Sequence, residues 1–83
     1  MKTLVLGASG MIGSTVIRIM SERNDYEVSG TVRAESMKRF FSAPIAKKLV
    51  AGVDVENHDS LVRVLNQLHP DVVVNCVGLT KHK

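Results

Sequence analysis

Tryptophan is absent from this 83-residue chain, which has only three aromatic residues, two prolines and one cysteine. A lone cysteine closes no internal disulfide, so a disulfide-stapled scaffold is excluded. No apolar run approaches the roughly 20 residues that a membrane-spanning helix needs. The opening run Thr3-Leu4-Val5-Leu6 stops at Gly7, too soon for the apolar region of a secretory leader. The expected address is therefore the cytoplasm, with no membrane partner. A large excess of one charge is also missing: 11 Lys and Arg stand against 8 Asp and Glu, for a net +3. The basic residues are dispersed, with only Lys38-Arg39 and Lys47-Lys48 adjacent, and Tyr26, Phe40 and Phe41 do not alternate with them as a base-stacking platform requires. No nucleic-acid partner is expected. Low-complexity tracts and internal repeats are absent as well. A chain this short excludes a complete large enzyme and supports only a thin core.

What the chain does have is a regular alternation of two hydrophobic periods. Thr3 to Leu6 reads as a buried strand, and from Met11 to about Glu22 the residues Ile12, Val16, Ile19 and Met20 recur at helical spacing. Tyr26, Val28, Gly30 and Val32 alternate in a second strand with Arg33 at its carboxyl end. Met37, Phe40 and Phe41 suggest a short helix over 34–41, broken at Ser42-Ala43-Pro44. Residues 48–53 form a third strand candidate, and Asp59 is placed to cap a helix with Leu61, Val62, Leu65 and Leu68 on its buried stripe, closed by Pro70. The most apolar run, Asp71 to Val77, reads as a fourth strand buried on both faces and ended by Gly78. The order β-α-β-α-β-α-β predicts an α/β fold with right-handed crossovers and a Rossmann-type parallel sheet of strand order 3-2-1-4, half of a doubly wound fold, with residues 1–83 as one partial nucleotide-binding domain.

Between the first strand and the first helix lies Gly7-Ala8-Ser9-Gly10-Met11-Ile12-Gly13. Glycines at this spacing and in this context predict a phosphate-binding turn. Gly7 permits the tight turn, Gly10 lets the backbone approach a pyrophosphate, and Gly13 lets the helix lie against the strand. The free amides and positive dipole end of the helix, from Ser9 through Met11 and Ile12, then face the anion. The plainer alternative is a strand-to-helix turn whose glycines serve packing alone.

This Gly-x-x-Gly-x-x-Gly pattern resembles that of the extended short-chain dehydrogenase/reductases, and the resemblance spans the chain. The segment His69-Pro70-Asp71-Val72-Val73-Val74-Asn75-Cys76-Val77-Gly78-Leu79-Thr80 is similar to the fourth-strand region of the dTDP-4-dehydrorhamnose reductases and related sugar-nucleotide reductases of polysaccharide synthesis. The resemblance implies a dinucleotide cofactor. Arg33 occupies the place where an acidic residue would bond the adenosine ribose of NAD, and a guanidinium there pairs with the 2′-phosphate of NADP, making NADP the expected cofactor over NAD. Asp54 and Val55 match an Asp-hydrophobic pair that meets adenine, the carboxylate accepting from the exocyclic amine; an Asp capping its own turn is the alternative. Val77, Gly78, Leu79 and Thr80 match the segment that passes under the ribose and nicotinamide.

Other conspicuous residues invite ordinary roles. Cys76, in an apolar strand without a neighbouring His, reads as a small core residue. His58, His69 and His82 lack metal-ligand spacing, so no metal site is expected. The family's proton chemistry belongs to a Tyr-x-x-x-Lys pair, which the chain lacks: its single tyrosine, Tyr26, is followed four residues on by Gly30. No catalytic residue is therefore assigned. The chain is expected to be the amino-terminal cofactor-binding part of a longer reductase, whose sugar-nucleotide substrate would need the remainder. Two alternatives stay open: a stand-alone nucleotide-binding or interaction module, and a fragment of a sugar-nucleotide epimerase or dehydratase. Half of a parallel sheet leaves apolar surface and a strand edge uncovered, so a homo-oligomer is expected, with exchange of elements as one form of it.

Overall fold

Thr3, Leu4, Val5 and Leu6 lie in β1 (Lys2–Leu6), at the centre of the sheet in a computed structural model that describes residues 1–77. β1 pairs in parallel with β2 (Glu27–Thr31) on one side and with β4 (Val72–Asn75) on the other, and β2 pairs in parallel with β3 (Leu49–Val50). The order is β3-β2-β1-β4, as the alternation predicts. Three crossovers connect the strands. α1 (Met11–Ser21) joins β1 to β2, a 3-10 turn (Glu35–Phe40) and the one-turn α2 (Ala43–Ala46) join β2 to β3, and α3 (His58–Leu68) joins β3 to β4.

Because successive strand residues point to opposite faces, β1 serves two cores. Val5 joins Ala8, Ile17, Val28 and Ile45 on the face covered by α1 and α2, while Leu4 and Leu6 join Val53 and Val64 beneath α3. Gly30 in β2 is what lets α1 settle on its face. A Cβ there would lie 2.6 Å from Ile17 Cδ1 and 2.8 Å from Ala8 Cβ.

Several local expectations are corrected. The packed side of α1 carries Gly13, Val16, Ile17 and Met20, whereas Ile12 and Ile19 are exposed. The close approach at Gly13 rotates the helix so that Ile17, one turn on, meets the sheet. In α3 the buried stripe is Leu61, Val64, Leu65 and Leu68, and Val62 is exposed. The cap of α3 is Asn57, whose Oδ1 accepts the Ser60 N–H at 3.0 Å, so Asp59 falls in the first turn, where its charge suits the dipole instead. The helix ends at Leu68, and its C-cap His69, directly before Pro70 as expected, takes the left-handed region with φ 47°. Pro44 opens α2 rather than ending a helix, because its missing N–H is no loss in a first turn. The third strand is two residues long, although Val53 N–H still donates to the Val32 carbonyl beyond it. β4 is not buried on both faces: it is an edge strand among the described residues, with Val72 and Val73 exposed.

Candidate functional site

The turn after β1 is fixed from both sides. Gly7 has φ +77°, a conformation that favours glycine, and a Cβ on it would lie 2.8 Å from Val77 Cγ2. Its N–H donates to Thr31 Oγ1 at 3.1 Å, and Ala8 N–H donates to the Thr31 carbonyl at 2.9 Å. Thr31, almost fully buried at the end of β2, therefore ties the glycine turn to the neighbouring strand. Sequence reasoning passed over Thr31, since a threonine in a strand is ordinary and only the parallel pairing brings it beside the turn. Gly10 N–H closes back on the Gly7 carbonyl at 3.1 Å, and the Gly10 carbonyl accepts the first helical bond from Ser14 N–H. The amides of Met11, Ile12 and Gly13 thus precede the helix's own bonding pattern and form its positive end.

The glycines differ in what they do. A Cβ on Gly13 would lie 2.0 Å from the Gly7 carbonyl oxygen, so this position is reserved for close packing of helix on turn. A Cβ on Gly10 would meet only that same oxygen, at 3.5 Å, and otherwise open space. Gly10 leaves bare a place that any side chain would fill. That is the fit a backbone-held pyrophosphate requires.

A cleft of about 230 Å³ opens here, along the carboxyl ends of the strands. Gly7, Ser9 and Gly10 line it after β1, Thr31 to Arg33 after β2, Val53 to Glu56 after β3, and Cys76 and Val77 after β4. The structure thus gathers Gly7, Ser9, Gly10, Arg33, Asp54, Val55 and Val77 at one cleft. Met11, Ile12 and Gly13 sit beside it in the first turn of α1 and do not line it, and the Met11 side chain is solvent-exposed. Gly78, Leu79 and Thr80 lie outside the described residues.

Within the cleft lining, Arg33 and Asp54 face each other. The Arg33 guanidinium is 3.9 Å from Asp54 Oδ2, with the two side chains 73% and 47% exposed. Asp54 is the better fixed partner. Its Oδ1 accepts the Glu56 N–H at 3.0 Å, and its own N–H donates to Ser60 Oγ at 3.1 Å, which ties the loop after β3 to the first turn of α3. Asp54 therefore does cap its own turn with one oxygen, and the other faces Arg33. Ser60, invisible as a site residue in the sequence, is the anchor behind it.

Cys76 belongs to the core cluster under α1, and burial pushes its thiol up from its ordinary value. Tyr26 lies at the opposite end of the sheet, beside Met1 and Lys48, with the Arg23 guanidinium 5.5 Å from its ring centre. His58 opens α3 and His69 caps its far end, while His82 is outside the described residues. Among the described residues, no three His, Cys, Asp or Glu side chains gather as a metal site, and no helix is long and apolar enough to cross a membrane.

Comparison with known proteins places this arrangement. The chain is 32% identical over 80 residues to a GDP-6-deoxy-D-talose 4-dehydrogenase of Aggregatibacter actinomycetemcomitans, covering 96% of this chain and 22% of that protein. It is 30% identical over 80 residues to a probable low-salt glycan biosynthesis reductase of Haloferax volcanii, covering 96% and 24%. To a 4-hydroxy-tetrahydrodipicolinate reductase of Myxococcus xanthus it is 36% identical over 75 residues, covering 89% and 27%. The chain spans about a quarter of the length of these relatives. The NAD dependent epimerase/dehydratase family matches residues 3–83, and with the glycine turn, the parallel sheet and the cleft at its carboxyl edge, the chain belongs to that family.

Proposed function

We infer that the chain is the cofactor-binding part of a sugar-nucleotide reductase of the dTDP-4-dehydrorhamnose reductase kind, holding NADP(H) in preference to NAD(H) in the cytoplasm. The observation that carries this reading is the bare Gly10 position in a cleft that Arg33 also lines. In this reading the amides after Gly10 hold the pyrophosphate, and Arg33 meets the 2′-phosphate. Asp54 Oδ2 accepts from the adenine amine, Val55 packs against the ring, and Val77 lies toward the nicotinamide ribose; the expected contacts of Gly78, Leu79 and Thr80 fall outside the described residues. When bound, the reduced nicotinamide supplies a hydride for a keto-sugar carbon. This chain's residues bind and orient the dinucleotide. The proton donor and the sugar site are assigned to the parent enzyme's remaining length, in keeping with the quarter of each relative that the chain spans.

A second reading, a fragment of a sugar-nucleotide epimerase or dehydratase, is favoured by the family's own description. The two differ in the expected cofactor, since an epimerase of this family retains NAD tightly. We also propose that two copies associate through the outer edge of β4, where Val72 and Val73 are exposed and no described strand follows. Sedimentation at tens of micromolar tests this, and a monomer contradicts it.

Calorimetric titration of the 83-residue chain with NADP⁺ and NAD⁺ tests the main reading. NADP⁺ is expected to bind more tightly, and Gly10→Glu to abolish binding with an unchanged circular dichroism spectrum. A folded chain that binds neither nucleotide contradicts the proposal, and one that binds only NAD⁺ moves the assignment to the epimerase reading.

A further inference from the structure

Among the described residues that line the cleft, Arg33 is the one cation, and Asp54 and Glu56 are both anionic. Asp54, the anion paired with Arg33, opposes a phosphate dianion at that point of the wall. The 3.9 Å pairing with Asp54 engages the guanidinium that the 2′-phosphate reading requires. The two partners are held unequally. Asp54 is fixed through Oδ1 by the Glu56 N–H and through its own N–H by Ser60 Oγ, whereas the Arg33 side chain is 73% exposed.

We propose, resting on the dinucleotide reading above, that the Arg33–Asp54 pair rather than Arg33 alone sets the nucleotide preference, with Asp54 acting as a specificity-determining residue that opposes 2′-phosphate binding. A 2′-phosphate must draw Arg33 away from Asp54. The exchange is feasible because an exposed ion pair is weak, while a guanidinium and a phosphate dianion form a stronger, two-pronged pair. A carboxylate oxygen has lone pairs for both Arg33 and the adenine amine, so Asp54 Oδ2 meets adenine with either nucleotide. A ligand without the 2′-phosphate leaves the pair in place, and only the 2′-phosphate has to break it. Asp54 therefore narrows the margin between the two cofactors, and the unmodified chain discriminates only modestly.

The probes are adenosine 2′,5′-bisphosphate and ADP, titrated by calorimetry into the unmodified chain, Asp54→Asn, Arg33→Ala and the double variant. Asparagine keeps an oxygen for the Glu56 N–H and an acceptor for adenine, so the loop is preserved. The expected result is that Asp54→Asn tightens the bisphosphate about three- to tenfold relative to ADP, less so at high salt, and that this gain disappears in the Arg33→Ala background. An equal change for both ligands overturns the proposal and leaves Asp54 as an adenine contact only. So does a gain that survives without Arg33. If neither Asp54→Asn nor Arg33→Ala alters the ratio while both ligands still bind, the pair is overturned and the dinucleotide reading stands. If the folded unmodified chain binds neither ligand, both fall together.

Discussion

Replacing Gly13 with alanine tests the packing that creates the glycine turn. The added Cβ would lie 2.0 Å from the Gly7 carbonyl oxygen, 2.9 Å from its carbon and 3.1 Å from Ala8 Cα. All three are backbone atoms, and the turn that carries them is pinned through Gly7 and Ala8 to Thr31. No flexible side chain can give way. Ordinary contact begins near 3.4 Å, so the start of α1 must withdraw by about 1.4 Å, lifting Ile17 from the sheet and losing part of its dispersion contacts. Forced overpacking of this kind costs roughly 1–3 kcal/mol, and backbone-on-backbone contact belongs at the upper end. Alanine recovers about 1 kcal/mol of helix propensity. The net expectation is a loss of about 2 kcal/mol. A domain of this size has only about 4–12 kcal/mol in total, so the fraction lost is large. Urea unfolding followed by circular dichroism at 222 nm reads it directly: with a slope of about 1 kcal/mol per molar, the midpoint falls by about 2 M. Gly10→Ala is the control, because its Cβ has one neighbour at 3.5 Å, and it should lower stability by less than about 1 kcal/mol. A Gly13→Ala chain as stable as the unmodified one would refute the close approach of α1 to the turn.

Two further outcomes follow from local geometry. Asn57→Ala removes the acceptor for the Ser60 N–H and should cost about 1 kcal/mol in urea unfolding, whereas Asp59→Ala should cost less than half of that. Equal losses would return the cap to Asp59. Burial raises the Cys76 thiol above its ordinary value, so the neutral form is favoured in the fold. The unfolded chain then releases this proton first, and the contribution of Cys76 is complete below the ordinary thiol range and is lost as pH rises through the folded value. Its reaction with a disulfide reagent at pH 8 should be slower than that of free cysteine and should accelerate in urea; equal rates would contradict the burial.

The sheet order was legible because it depends on the alternation of periods and on crossover handedness, both of which are local or general. The glycine spacing was legible for the same reason: each glycine answers a backbone constraint at a known step along one turn. What was not legible depends on tertiary proximity. Thr31 meets the turn only because β2 lies beside β1, and Ser60 steadies Asp54 only once α3 begins where it does. The burial of β4 was misread because three valines in a row describe a strand interior in sequence but an edge strand in the described fold. Likewise the face of α1 could not be read from its apolar residues alone, since the deciding residue, Gly13, has no side chain to count. The pairing of Arg33 with Asp54 joins two positions that the sequence reading treated separately, because they lie 21 residues apart at the ends of different strands.

The central claim is that a dinucleotide rests its pyrophosphate on the turn from Gly7 to Gly13. Amide chemical shifts of the ¹⁵N-labelled chain during an NADP⁺ titration test it most directly. The account predicts saturating shifts at Ser9, Gly10, Met11 and Ile12, together with Arg33 and Asp54, all lost in Gly10→Glu. Shifts confined to the opposite end of the sheet, around Tyr26 and Lys48, or no shifts in a folded chain, would contradict it.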